Sequence, residues 1–283
     1  MFLVLVHLKF WLDKMLSFNN LGNLGRLANQ MFQYASLKGI ARNRGFDFVI
    51  PPISEFGKRD TNVRESLSLK ETIYDIFPNL TNAPIGVVNN EFNYEVNHDF
   101  DENLFNNCPD NIDLFGYYQS HKYFEHIEDE IRHDFTFSDD IIESVELMMD
   151  DFDCDEKISL HIRRGDYVFN PNHPVQPIEY YQKALEQLPK DIPVFVFSDD
   201  PWWCYDQEFF DDDRFMISDS NGTGVDLHIM TTCDYHIIAN SSFSWWGAWL
   251  AKSKKVIAPK DWFGADCAFK SVKDMEFGNW SWL

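Results

Sequence analysis

The chain has 283 residues, of which 45% are hydrophobic and 16% aromatic, enough to build a sizeable core in two domains of ordinary size. Its 46 acidic against 24 basic residues leave a net charge of −22. That field repels nucleic acid and anionic membranes, and it admits an anionic small ligand only at a local basic spot.

The opening stretch MFLVLVHLKFWLDKM is apolar but broken by His7, Lys9, Asp13 and Lys14. Its uninterrupted run is far shorter than the ~20 residues of a membrane span, and it has neither a basic leader nor a small-residue cleavage site. At most a peripheral contact with the inner face of a membrane is expected, with residues 1–14 readable as an extension ahead of Met15. Five cysteines, odd in number and without a CxxC pair, suit a reducing, cytoplasmic setting.

MLSFN reads as a strand, and NNLGNLGRLANQMF as a glycine- and asparagine-rich turn entering a helix. Such a turn brings backbone amides close to a phosphate or sugar. Its spacing is not GxGxxG, so a dinucleotide fingerprint is excluded. Met31, Tyr34, Leu37, Ile40 and Ala41 recur at helical spacing, with Asn29 as the expected N-cap and Gly45 just past the end. FDFVIPP is a strand closed by prolines. From Phe56 to about Phe115 the period is lost, and mixed structure of a first domain is expected.

After the acidic patch DDFDCDEK the pattern sharpens. KISLHI, IPVFVFS, RFMIS, YHIIA and KVIAP read as strands, alternating with the helical IEYYQKALEQL, VDLHIMTTC and SWWGAWLAKS. That alternation implies an α/β fold with a parallel sheet, and a domain boundary near residues 138–156. Ligands of such sheets bind at the carboxyl ends of the strands. By that rule His161, Arg163 and Arg164, then Ser198 and Asp199, then Asn240, Ser241 and Ser242 converge on one edge.

The guanidinium of Arg163 offers a planar fork of donors suited to phosphate. Arg164 points the other way along the chain and is expected to anchor the loop through a carboxylate. ANSSFSWWGAW runs from a strand end into a helix whose first N–H groups and serine hydroxyls make an anion site without a metal, or simply a serine cap. Trp245, Trp246 and Trp249 read as packing residues rather than a sugar platform. Asp199 can accept hydrogen bonds from a base or ribose, and the aspartate runs at 199–200 and 211–213 leave open a carboxylate-bound metal.

Three stretches, GRLANQMFQYA, HIRRGDY and NSSFSWWGAW, taken together resemble the motifs of the α1,2-fucosyltransferases, glycosyltransferase family 11. That family is related more distantly to the protein O-fucosyltransferases and the α1,6-fucosyltransferases. The matching segments run in the expected order from about Leu16 to Trp262. The resemblance implies a GT-B-like enzyme with two Rossmann-like domains facing across a cleft: an acceptor-side domain over residues 1–145 and a GDP-sugar-binding domain over 146–283. It implies GDP-β-L-fucose as donor, inversion at the anomeric carbon, no cofactor or metal, and an oligosaccharide acceptor ending in β-galactose. Carried over by position, Arg163 binds the donor phosphate and assists departure of GDP, and His161 and Asp199 hold the guanine or ribose. Ser241, Ser242 and Phe243 line the phosphate and base site, while Asn29 reaches from the first domain with Gln30 beside it.

Asp166, one short turn beyond Arg163, is the candidate catalytic base, or else a partner for Arg26 or Arg164. One departure stands out. The family usually reads Gly-Gly-Leu-Gly-Asn-Gln, and here Arg26 and Ala28 replace two glycines, adding a charge and narrowing the backbone approach. Two other readings remain at this point: a metal-dependent sugar transferase, and a non-catalytic nucleotide-sugar- or glycan-binding protein.

Overall fold

A computed structural model describes residues 14–55, 71–89, 93–96, 99–150, 152, 154–219, 221–267, 272–278 and 280–283. Residues 1–13 of the expected extension lie outside the described residues. No helix among the described residues is long and apolar enough to cross a membrane.

Two parallel sheets carry the α/β fold. The first is built from β1 (Met15–Ser17), β2 (Asp47–Val49), β3 (Asn93–Val96) and β4 (Ile112–Gly116), in the spatial order β2-β1-β4-β3. The second holds β5 (Ile158–Ile162), β6 (Val194–Ser198), β7 (Phe215–Ile217), β8 (Tyr235–Ile237), β9 (Lys255–Ala258) and β10 (Ser281–Trp282), in the order β10-β9-β8-β5-β6-β7. Numbered within itself and read from the β7 edge, the second sheet runs 3-2-1-4-5-6, the order of a dinucleotide-binding sheet. The strands stay parallel, but the order in which the chain adds them reverses between β5 and β8, and in the first sheet between β1 and β4. Each reversal opens a crevice at the carboxyl edge.

The strands expected in the second half are all present as short apolar runs: β5 and β6 are buried at every position, whereas β7, at the sheet edge, is half-buried throughout. Inside the aperiodic stretch the chain nevertheless forms β3 and β4. Among the described residues the helices in chain order are α1 (Leu27–Arg44), α2 (Ile73–Ile76), α3 (Glu102–Asn107), α4 (Glu128–Asp134), α5 (Asp139–Met149), α6 (Ile178–Leu185), α7 (Pro201–Tyr205), α8 (Thr223–Thr231) and α9 (Ser242–Leu250). The division expected at 145/146 falls inside α5.

Helix α1 starts earlier than the sequence suggested. Its N-cap is Arg26, whose carbonyl accepts the N–H groups of Asn29 and Gln30, so Asn29 lies within the first turn and is not the cap. Its far end is as expected, with Gly45 in the left-handed conformation at φ 64. Almost the whole of α1 is buried, including Gln33, Ser36 and Lys38. The cause is that α1 is covered from two sides. Tyr34 and Phe48 of β2 meet at 6.1 Å on one, and Phe32 meets Trp245 and Trp246 of α9 at 4.7 and 4.9 Å on the other. Helix α9 is the counterpart: Ser244 through Trp249 are buried, and the Trp246 indole N–H donates to the Ala28 carbonyl at 3.1 Å. The three tryptophans are therefore core residues, and they weld the two halves together. Aromatic pairs of this kind contribute about 0.5–1.5 kcal/mol each beyond their buried area.

Candidate active site

The carboxyl edge of β5 ends in Arg163 and Arg164, and their two side chains part at once. The Arg164 guanidinium lies 4.0 Å over the Trp203 ring and pairs with Asp200 at 3.2 Å, which is the anchoring role expected of it. The Arg163 guanidinium is held by two carboxylates, Asp166 and Asp199, the latter at 2.7 Å. Asp199 also accepts the backbone N–H of Arg164 at 2.8 Å. That close packing of the β6 end against the β5 loop requires Gly165, because a Cβ there would collide with the Asp199 carboxylate. Sequence spacing thus brings Arg163, Asp166 and Asp199 together in one ion-paired group.

Tyr167 lies under the Arg163 guanidinium at 5.0 Å, and its hydroxyl donates to the Asn240 carbonyl at 3.2 Å. Burial pushes the Tyr167 phenol up to about 12, with the Arg163 charge opposing, so the hydroxyl stays protonated as a donor. Arg163 therefore reaches the corner between β8 and α9 by way of Tyr167. Arg26, exposed on the glycine-rich turn, is close enough to act on the same phenol electrostatically.

At that corner Ser241 is the N-cap of α9, accepting the Phe243 N–H at 3.3 Å, and the first turn carries no acidic residue. The free N–H groups and the positive end of the helix dipole make this a site for an anion. Behind it, His161 Nδ1 and the Ser244 hydroxyl meet at 2.8 Å, and the ring lies 5.7 Å from that of Phe243. Burial, with the Arg163 charge adding, lowers His161 to about 3. His161 is thus neutral and ties β5 to α9, while half-buried Phe243 packs beside it.

The first sheet contributes from its own reversal point. Asn29, on the first turn of α1, accepts the Ser242 hydroxyl at 3.0 Å and the Gln119 side-chain N–H at 2.7 Å. Gln30 is buried and donates to the Gly25 carbonyl at 3.2 Å, which holds the turn in shape. The crevices of the two sheets consequently share an edge, where Asn29 and Ser242 touch.

Residues 7–283 match the family model for glycosyl transferase family 11. The chain belongs to this family. It is 32% identical to the alpha-1,2-colitosyltransferase of Escherichia coli, over 84% of this chain and 90% of that one. It is 31% identical to the O-antigen biosynthesis glycosyltransferase WbnK of Escherichia coli, over 88% of this chain and 96% of that one. With galactoside alpha-(1,2)-fucosyltransferase 1 of Rattus norvegicus the identity is 26%, over 80% of this chain and 62% of that one. In this family 11 glycosyltransferase the two parallel sheets meet at the edge just described.

Three residues at or near this edge escaped the sequence reading. Tyr167 stands in the HIRRGDY motif but carries no separate signal. Gln119 lies in the aperiodic stretch, in GYYQS after β4. Asp226 lies in the helical VDLHIMTTC and belongs to none of the three motifs. It sits on the first turn of α8, just after β7, and accepts the Ser218 hydroxyl at 2.6 Å. Burial first, and the nearby Glu71 charge second, raise its carboxyl to about 6 despite that bond.

Proposed function

We propose that this family 11 glycosyltransferase transfers L-fucose from GDP-β-L-fucose, with inversion and without a metal, to the 2-hydroxyl of a terminal β-galactose. The observation that carries this reading is the meeting of the Arg163 group with the acid-free N-terminus of α9 at the β5–β8 reversal. A neutral glycan has no use for both; a pyrophosphate has. The base and ribose then lie over the ends of β6 and β7, where Asp199 and the buried carboxyl of Asp226 accept N–H or O–H donors. The second half serves as the donor domain, and the edge of the first sheet, with Asn29, faces the sugar and acceptor.

In the transition state the sugar approaches an oxocarbenium ion, and negative charge grows on the departing phosphate oxygen. The α9 amides and the Tyr167-braced corner are aimed at that charge before reaction, so little reorganisation is required of them as it develops, and Arg163 joins them once the donor phosphate displaces its carboxylate partners. Arg26 adds a cation from the turn of the first domain. Asp166 acts as the base: its carboxylate is exposed and reaches the same guanidinium, so release from Arg163 on donor binding frees it to accept the acceptor hydroxyl proton. A second donor is favoured by one relative, the alpha-1,2-colitosyltransferase. Colitose is L-fucose without its 3-hydroxyl, so the same phosphate site serves both.

The test is a panel of GDP-fucose, GDP-colitose and UDP-sugars incubated with lactose in excess EDTA. Fucosyl transfer to the galactose 2-hydroxyl is the expected product. Transfer from UDP-sugars alone, or loss of all transfer in EDTA, overturns the reading.

A further inference from the structure

The Asn29 side-chain oxygen accepts two hydrogen bonds, from Gln119 Nε2 at 2.7 Å and from the Ser242 hydroxyl at 3.0 Å. A carboxamide has one oxygen and one NH₂ group, at opposite corners. Pinning the oxygen with two donors therefore turns the NH₂ the other way, and here Nδ2 lies against Gly25, on the glycine-rich turn. Gly25 permits this by its φ of 74 and its missing side chain.

The two donors differ in what they decide. A serine hydroxyl donates or accepts with equal ease, so Ser242 alone leaves the amide free to flip. A glutamine carboxamide has an acceptor corner too, but the one Gln119 presents to Asn29 is its NH₂, which only donates. Gln119 is also presented by a constrained loop: its neighbour Tyr118 is fully buried at φ 52, a left-handed conformation that a bulky residue adopts only when its surroundings impose it.

We propose that Gln119 is a positioning residue that fixes the Asn29 amide with Nδ2–H directed at the pyrophosphate or sugar of the donor. The flipped amide would present its oxygen to that anion and repel it. This role rests on the donor site assigned above.

Titration calorimetry with GDP tests it on the full chain. Gln119→Glu replaces the donor by an acceptor and turns the amide round, so GDP binding weakens about tenfold or more, as for a lost hydrogen bond to a charged group. Asn29→Ala alone has a loss of the same order, and Gln119→Glu added to Asn29→Ala has no further effect. The ligand-free melting temperature stays at the wild-type value in all three. Wild-type affinity in Gln119→Glu overturns the proposal, as does an equal extra loss in the Asn29→Ala background, which would signal only an added negative charge. Arg163→Ala keeps the two levels apart. A loss there without a loss in Gln119→Glu removes the orienting role alone, whereas unchanged GDP binding in Arg163→Ala removes the donor site and the orienting role together.

Discussion

The two groups proposed to bind the donor phosphates stand side by side at the β5–β8 crevice, and they are in opposite electrostatic states. The Arg163 guanidinium is fully engaged, held by Asp166 and Asp199 and laid over Tyr167. The N-terminus of α9 is capped by Ser241 and carries no acidic residue in its first turn. Helix α8, packed against α9, shows what an occupied helix end looks like: Glu71 from the first half accepts the Gly224 N–H at 3.1 Å. In a chain of net charge −22, a mobile cation is neutralised by neighbouring carboxylates until a ligand displaces them. Backbone donors are oriented by the helix itself, and only a carboxylate placed at the helix end competes for them. The helix thus supplies ready affinity, whereas Arg163 gains most when the phosphate carries more charge than the carboxylates it displaced. That condition is met in the transition state.

The sharpest way to break this comparison is Arg163→Ala. Its kcat/KM is expected to fall by about 10³-fold, the upper range for removing one oriented donor from a developing charge. The melting temperature should stay close to wild type, because Asp199 keeps its bond to the Arg164 N–H. Near-normal turnover would show that α9 suffices alone.

Asp166→Asn separates the two states of Arg163. Loss of the base lowers kcat by about 10²-fold, yet removal of one competing carboxylate makes GDP bind more tightly. Weaker GDP binding in this variant would mean that Asp166 positions Arg163 rather than competes for it.

The effect furthest from the chemistry is on stability in acid. His161, behind α9, is lowered to about 3 in the folded protein against an ordinary 6.5. The unfolded chain therefore binds a proton that the native state refuses, so stability is full above about pH 6.5 and declines as pH falls towards 3, by up to about 1.4 kcal/mol per pH unit. In His161→Gln, scanning calorimetry from pH 7 to 4 should show a shallower decline, with buried His236, lowered to about 4, among the groups that supply the remaining slope. An unchanged slope would dissociate His161 from the acid response.

Much of the second sheet was legible because its strands are short apolar runs separated by turn residues, and chain order then specified which ends carry Arg163, Asp199 and Ser242. The first half was less so. The strand IDLFG of β4 lies in a phenylalanine- and asparagine-rich stretch whose apolar residues serve several packing directions at once. Asn29 looked like a cap because Asn favours that place, but the turn closes on Arg26 three residues earlier, and the Asn29 side chain is committed to Ser242 of the other half. Polar Gln33, Ser36 and Lys38 gave no hint that α1 would be enclosed, since their partners come from segments distant in the chain: Gln33 donates to the Gly116 carbonyl, Ser36 to that of Tyr118, and Lys38 pairs with Asp134.

By itself, the order of apolar runs and turns determined a parallel α/β fold and put the arginines, the aspartate and the serine-led helix on one edge. The reason is local: strand period, helix capping and the direction of a parallel strand are properties of short segments. Only the tertiary structure decided the charge state and orientation of the site, namely that Arg163 is already paired, that His161 is buried and neutral, and that Asn29 is shared between halves. Those outcomes depend on which side chains from distant segments come within hydrogen-bond reach, and on how much water the closed core excludes.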